Sequence, residues 1–253
     1  MARRELIDFS RSAALLGDPE FPNILAPATL GERIARFQEL YRLYSRLDLS
    51  SEYDRPTAID GLQQRLLRTM DVNGGFGILD DPSRKELLFR GLLWYRGADT
   101  RSLEQIAFPS DRERVPSWSW MSVSGGIDYL SFDSWKWRRY EWQVIQPPWS
   151  CPPIRTPNAF HGQARSFHLS IARVNEYQLT FDNPLDSALS ESKALVLAIE
   201  RDFLEIEDKR HYVLVVRPKA DLSPDGMALY ERIGAGYMPG RCLNADPESC
   251  TLV

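Results

Sequence analysis

Apolar residues recur at three- and four-residue spacing from Thr29 to Trp94, and in short runs rich in β-branched and aromatic residues after Pro116. The first pattern puts side chains on one stripe of a helix and the second on one face of a strand, so no single element type accommodates both. Helices first and strands afterwards predict an α+β fold and exclude an alternating parallel sheet. The expectation is N-terminal amphipathic helices over about 29–95, packed on an antiparallel β-rich C-terminal half.

Three helices are expected in the first part. Thr29 followed by Glu32 has the capping-box spacing, and Ile34, Phe37, Tyr41 and Tyr44 then recur on one side, widened by Leu40, Leu43 and Leu47. Thr57 opens a second helix with Ile59, Leu62, Leu66 and Met70 on one face. Asp81 as cap and Pro82 in the first turn open a third, through Leu87, Leu88 and Leu92 to Trp94. Asn73-Gly-Gly-Phe-Gly77 between them reads as a helix-terminating turn, since it lacks the lysine of a phosphate-binding loop and follows a helix. Strands are expected over 117–123, 139–145, 165–173, 176–181, 193–200, 211–217 and 227–233, with Phe167, Leu169 and Ile171 sharing one buried face. The segment 146–158 holds Pro147, Pro148, Pro152, Pro153 and Pro157 and reads as a stiff loop or lid. The whole chain, 1–253, is read as a single domain: an irregular arm (1–28), a helical part (29–95) and a β-rich part (96–253).

Composition narrows the function classes. The 253 residues are 43% hydrophobic and 26% charged with a net charge of −4, and cations alternate with anions, so the basic footprint of a nucleic-acid binder is missing. Ala194–Ile199 is the longest purely apolar run, far short of the roughly twenty residues that cross a bilayer, so no membrane span is expected. Glu5 and Asp8 interrupt the amino-terminal segment, against a secretory signal. Cys151, Cys242 and Cys250 are odd in number and read as reduced thiols, which places the protein in the cytoplasm. His161, His168 and His211 have no ligand-like spacing, and no serine sits in a nucleophile elbow, so neither a metal nor a cofactor is expected.

All seven tryptophans fall between Trp94 and Trp149. Pro116-Ser117-Trp118-Ser119-Trp120 is read as an extended segment with both indoles on one face. Aromatic walls offer a ligand large area with few rotamers to freeze, and they equally fill cores, so Trp94, Trp118, Trp120, Trp135 and Trp142 are candidate substrate-binding residues with packing as the alternative. Asp54-Arg55 reads as a charge pair in the turn before the second helix, favoured by that helix's amino terminus. Tyr230 and Arg232 share one face of a late strand. Arg232 would pair with Asp54 or Asp60, or else donate to a substrate carbonyl. Arg55, Tyr230 and Arg232 are therefore the candidate catalytic donors.

Gly91-Leu-Leu-Trp-Tyr95, Arg114-Val-Pro-Ser-Trp-Ser-Trp120, Tyr44-Ser-Arg46, Tyr53-Asp-Arg55, Ala58-Ile-Asp-Gly-Leu62 and Tyr230-Glu-Arg-Ile-Gly234 occur in an order that resembles the carboxyl-terminal region of fungal heterokaryon-incompatibility (HET) proteins. The resemblance covers roughly residues 37–236 and omits the upstream HET domain, so the chain is expected to be that region standing alone, without the missing domain's activity. Stand-alone proteins of this kind occur among fungal natural-product genes, the sordarin-type diterpenoid pathway included. The resemblance thus implies a cofactor-free cyclase or isomerase of Diels–Alder type acting on an apolar terpenoid or polyene. It implies alternatively a non-catalytic interaction module kept from incompatibility signalling. The partners expected are an apolar small molecule and, for either function, a second copy in a homo-oligomer.

Overall fold

The computed structural model describes residues 25, 27–112, 114–131, 140–150, 156–185, 191–201, 204–223, 226 and 228–253. Most of the expected arm (1–24 and 26), the centre of the Pro-rich loop (151–155), Trp135 and Cys151 lie outside them. Among the described residues the chain has mixed α+β architecture, with three α-helices and a closed β-ring.

Helix α1 (Leu30–Ser45) starts where the capping box predicts: the Thr29 side chain accepts from the Glu32 backbone N–H, and the Glu32 carboxylate accepts from Thr29. It buries Ile34, Phe37, Leu40 and Tyr41. Helix α2 (Arg55–Met70) begins two residues before Thr57, because Pro56 supplies a pre-set φ in the first turn and Asp54 takes the cap position. It ends at Asp71, whose backbone is left-handed at φ 53°. The glycine-rich stretch that follows is a hairpin rather than a helix-terminating turn. Strands β1 (Asn73–Gly75) and β2 (Ile78–Asp80) pair through a two-residue loop in which Phe76 and Gly77 have φ of 50° and 78°, as a type I′ turn requires. Helix α3 is shorter than expected, Glu86–Leu92. Asp81 spends its carboxylate on the backbone N–H and hydroxyl of Ser83 in a preceding turn, and the chain is already extended at β3 (Trp94–Arg96).

The remaining strands are β4 (Glu104–Gln105), β5 (Val123–Ser124), β6 (Ile127–Tyr129), β7 (Tyr140–Trp142), β8 (Phe160–Ser166), β9 (Gln178–Phe181), β10 (Lys193–Glu200), β11 (Arg210–Leu222), β12 (Ala228–Pro239) and β13 (Glu248–Leu252). Two small ladders, β3 with β6 and β4 with β5, flank the main sheet. In that sheet β11 pairs β10, β10 pairs β8, β8 pairs β13, β13 pairs β12, and β12 returns to β11, which closes the ring. Pairing is antiparallel except between β12 and β13. The long strands share their outer edges: β10 gives one to β8 and β7, and β12 gives one to β13 and β9.

Alternation in the ring separates two buried faces. Leu195, Leu214, Phe160, Tyr230 and Leu252, one from each ring strand, meet inside together with Trp118 and with Leu88, Phe89 and Leu92 of α3. Val196, Val213, Val215, Ile233 and Met238 point outward into a second cluster covered by Phe167 and Cys242. A third cluster joins α1 and α2 to Trp94, Trp120 and Ile127. Each fully buried Leu, Val or Phe contributes roughly 1.5–3 kcal/mol, so these clusters dominate the stabilisation.

Two expected strands are not formed. The 117–123 segment is a tight turn with a 3-10 helix at Trp120–Ser122, because its serines serve the backbone locally: Ser119 Oγ accepts from Met121 N–H at 3.1 Å and donates to the Phe76 carbonyl, and Ser122 Oγ donates to the Ser119 carbonyl. The 165–173 strand stops at Ser166, where Phe167 bridges Leu243 and His168 N–H donates to the Cys242 carbonyl. Leu169–Ile171 is a 3-10 turn and Ile171 is 56% exposed, so the shared buried face ends there.

Gly236 lets β9 approach β12, since an added Cβ would collide with the Gln178 carbonyl. Gly236→Ala should lower stability by about 1–3 kcal/mol through overpacking. Gly61→Ala, in mid-helix with nothing within 4 Å, should raise it by about 0.5–1 kcal/mol. Urea midpoints of the two variants moving in the same direction would contradict this packing.

Candidate functional site

The sequence-derived donors lie inside the protein. Arg55 is 3% exposed, and its Nη1 donates to the Ser45 carbonyl at 3.1 Å and the Tyr44 carbonyl at 3.4 Å, which ties the start of α2 to the end of α1. Its neighbour Asp54 pairs with Arg112 at 2.9 Å, not with Arg55. Burial pulls the guanidinium pKa of Arg55 below its ordinary value. Arg232 is enclosed on all sides: Nη1 donates to Asp182 at 2.5 Å, Nη2 to the Trp94 carbonyl at 2.6 Å, and the guanidinium lies 3.1 Å from the centroid of the Trp94 ring. Its expected partners, Asp54 and Asp60, belong to the α2 end of the molecule, whereas β9 delivers Asp182 directly beside β12. Burial lowers the pKa of Arg232 and Asp182 opposes that shift, so a charge-assisted pair is kept inside. Tyr230, 4% exposed, faces the ring interior with the Lys193 ammonium 5.6 Å from its ring.

The tryptophans of the motif are also internal. Trp94, Trp118 and Trp120 are all 0% exposed. The two indoles of the Ser-Trp segment go to opposite sides, not to one face. Trp118 enters the ring interior edge-on to Phe160 at 4.7 Å, and its Nε1 donates to the Asn158 carbonyl at 2.9 Å. Trp120 enters the helical cluster, 5.1 Å from Tyr41. Trp94 Nε1 donates to the Trp118 carbonyl at 2.9 Å and links the two. Trp142 stacks on Phe89 at 5.2 Å and 5°, and Trp149 donates to Asp80 at 2.9 Å while packing against Trp118. None of these five indoles lines either of the two clefts described below.

The open space lies in front of them. One cleft of about 470 Å³ is bounded by the first turns of α2, the tip of the β1–β2 hairpin and the loop before the Ser-Trp turn. Phe76, Phe108, Val115 and Met121 give it an apolar floor, and Asp60, Gln64 and Arg112 stand at its edge. A second of about 820 Å³ continues on the other side of Phe108 and Val115, which line both. Its far wall is the outer face of β11 and β12, with Lys219, Leu229 and Glu231. Both volumes lie within the range of about 300–1,000 Å³ usual for small-molecule sites.

The motif builds this place without lining it by its indoles. The Ser119 hydroxyl pins the hairpin tip at 2.7 Å, Gln63 Oε1 accepts from Gly77 N–H at 2.5 Å, and Arg232 N–H donates to Ser117 Oγ at 3.0 Å. Ile106 N–H donates to the Ser122 carbonyl, which fixes the loop carrying Phe108. Arg112 is held at the first mouth by Asp54 and lies 5.3 Å from the Tyr53 ring centroid, an exposed pair of little stabilising value but a positioned donor. Sequence reasoning missed Phe108, Arg112, Val115 and Lys219. The available signal was an isolated aromatic residue in a polar loop, beside a proline.

Among the described residues no group of three or more His, Cys, Asp or Glu side chains is arranged to hold a metal ion, and no helix is long and apolar enough to cross a membrane. Cys242 and Cys250 are buried free thiols, and burial pushes Cys250 up to about 12.

Removing the Arg232 guanidinium strands Asp182 in the interior. Arg232→Met should therefore cost about 3–5 kcal/mol, measured by chemical denaturation, and Arg232→Lys should recover little because lysine cannot reach both acceptors with a planar fork. A cost below about 1 kcal/mol in both variants would contradict a buried pair. Comparison of the chain with protein-family models, with curated proteins and with solved structures finds no match in any of the three.

Proposed function

We propose that this chain is a cofactor-independent cyclase or isomerase that folds an apolar polyene or terpenoid substrate in the paired clefts, with an intramolecular [4+2] cycloaddition as the reaction. The single observation that carries the reading is the pair of clefts that share Phe108 and Val115 in their walls, the first apolar in its floor and edged by positioned polar groups. The order of motifs resembling the carboxyl-terminal region of HET proteins supports it from the sequence side.

Such a reaction needs little proton transfer. A flexible chain held so that its two reacting ends meet gains rate because the entropy of ordering is met on binding; well-oriented intramolecular reactions reach effective molarities of about 10⁵ M or more. The rigid backing of Trp118, Trp120 and Trp94 suits this work, since a wall that yields does not hold a reactive conformer. A donor at the edge then stabilises charge shifting onto a substrate carbonyl. Arg112, fixed by Asp54 and Tyr53, and the Gln64 amide take this part at the first cleft, in place of the enclosed Arg55, Tyr230 and Arg232.

The interaction-module reading asks for an exposed apolar patch near Trp135–Trp149. Among the described residues of that stretch Trp142 and Trp149 pack inward, and Val144, 93% exposed, is the large apolar residue left at the surface.

Loss of the gene should leave a metabolite isomeric with the missing polycyclic product, and purified protein should convert that isomer without added cofactor. Phe108→Trp, which enlarges a side chain that lines both clefts, should lower turnover at least about tenfold, in line with the loss of productive orientation. Its melting temperature should stay close to that of the parent, because Phe108 is only half-buried. An unchanged metabolite profile, or full turnover by the Phe108→Trp protein, overturns the proposal.

A further inference from the structure

Gln63 brings a buried amide to the wall of the first cleft, 5% exposed and carried by the middle of α2. Its orientation is set by its partner. The Gly77 backbone N–H can only donate, so Oε1 faces the hairpin and the Nε2 amino group is turned away from it. Nε2 makes no hydrogen bond to a described residue and yet is not sealed off from the surface. In a side chain that lines the cleft, the amino group therefore opens onto the cleft, held in place and unused.

The donors at the mouth are placed differently. Arg112 is paired with Asp54 and 41% exposed, and the exposed Gln64 amide donates to Asp60 at 3.3 Å. Water competes there for a ligand oxygen, whereas a hydrogen bond to Gln63 forms where solvent is largely excluded and is stronger for it. Room for a ligand is kept beside it. Gly74 and Gly77 have structural reasons, since a Cβ would strike the Ile78 carbonyl at one and the Trp120 indole at the other. Gly75 would meet only the Trp149 ring at 4.0 Å, and Gly61 nothing within 4 Å. Both line the cleft, one on the hairpin wall and one on the helix wall. In mid-helix Gly61 costs about 0.5–1 kcal/mol against alanine and gains no contact, so the space it leaves is its one local effect.

We infer that the Gln63 amide is the donor that receives the carbonyl oxygen of an uncharged ligand whose apolar body occupies the space left by Gly61 and Gly75. This assignment rests on the small-molecule reading of the clefts and names the class of molecule they take: a neutral ketone, aldehyde or ester. The Asp60 carboxylate on the same wall disfavours an anion. With Oε1 already taken by Gly77, the amide offers N–H donors alone, which disfavours a group that can only donate. In the cycloaddition reading Gln63 is a catalytic residue, because it touches the carbonyl onto which charge shifts.

Calorimetry with camphor, a ketone that only accepts, and borneol, the alcohol of the same skeleton, tests this. Both should bind the parent protein. Gln63→Glu keeps an acceptor for the Gly77 N–H and puts an oxygen in place of the amino group. At a pH of about 8.5, well above the usual carboxylate range, it should weaken camphor about three- to tenfold, the scale of one hydrogen bond. Borneol, which can donate to the new oxygen, should stay within about twofold of its parent affinity. In the parent the carbonyl stretch of bound camphor should lie at lower wavenumber than in cyclohexane, and in Gln63→Glu it should return toward that value. Gly61→Leu, which improves the helix while filling the cleft, should weaken both probes together. Equal effects of Gln63→Glu on the two probes, or an unshifted carbonyl stretch in the parent, overturn the donor and leave the cleft reading standing. Full binding of both probes by Gly61→Leu puts them outside the first cleft and overturns the assignment. Binding of neither probe overturns the donor and the cleft reading together.

Discussion

The turn at Pro116–Ser122 decides how the two halves of the molecule meet. As alternate residues of an extended strand Trp118 and Trp120 would point the same way; the 3-10 turn sends one into the β-ring and the other among the helices. Three serines make that turn possible, each exchanging a ladder hydrogen bond for a local or cross-element one. Two large side chains anchored in two cores, only two residues apart along the chain, leave the connection no freedom to hinge. Trp94 closes the arrangement by donating to the carbonyl of Trp118.

Arg232 extends the same joint. Its guanidinium reaches from β12 to Asp182 beside β9 and to the Trp94 carbonyl on β3, so the β9–β12 ladder and the β3–β6 ladder converge on one charge. Burial of an ion pair gives little net stabilisation against an apolar replacement of the same shape, whereas a lone buried charge is strongly destabilising. The arrangement therefore works as a register device: any other placement of β9 leaves either Asp182 or Arg232 unmatched. Glycines at 234 and 236 complete it, since both would push the β9 backbone away if they carried a Cβ.

What was legible in the sequence follows from whether the deciding interaction is local. The capping box at Thr29 and the apolar stripe of α1 are set within one or two turns, and they appear as the pattern indicates. Strand β10, an unbroken apolar run, is likewise found at Lys193–Glu200. The helix expected from Asp81 begins only at Glu86, because Asp81 has a closer backbone partner at Ser83, a competition that spacing does not rank. Arg232 was recognised as a side chain that needs a partner, but the identity of the partner depended on where β9 docks. Closure of the ring, with its single parallel pair between β12 and β13, was invisible because parallel pairing leaves no turn signal. The clefts were illegible for the same reason, since Phe108 and Lys219 are 111 positions apart and meet only through the fold.

The density of aromatic residues between Trp94 and Trp149 was the clearest hint of a ligand pocket, and its placement changes what that hint means. Large rigid rings packed edge to face leave few voids, so a region rich in them is poor in internal space. Space opens instead at the boundary of that region, where the packed wall ends and a loop with one aromatic residue faces it. Phe108 occupies this position between the clefts, half-buried and free of the stacking that fixes the tryptophans. In these clefts one surface is the hairpin tip and Met121, backed by Trp118 and Trp120, and the facing one carries Phe108 and Val115 and is joined to the body through Ile106 and its bond to Ser122.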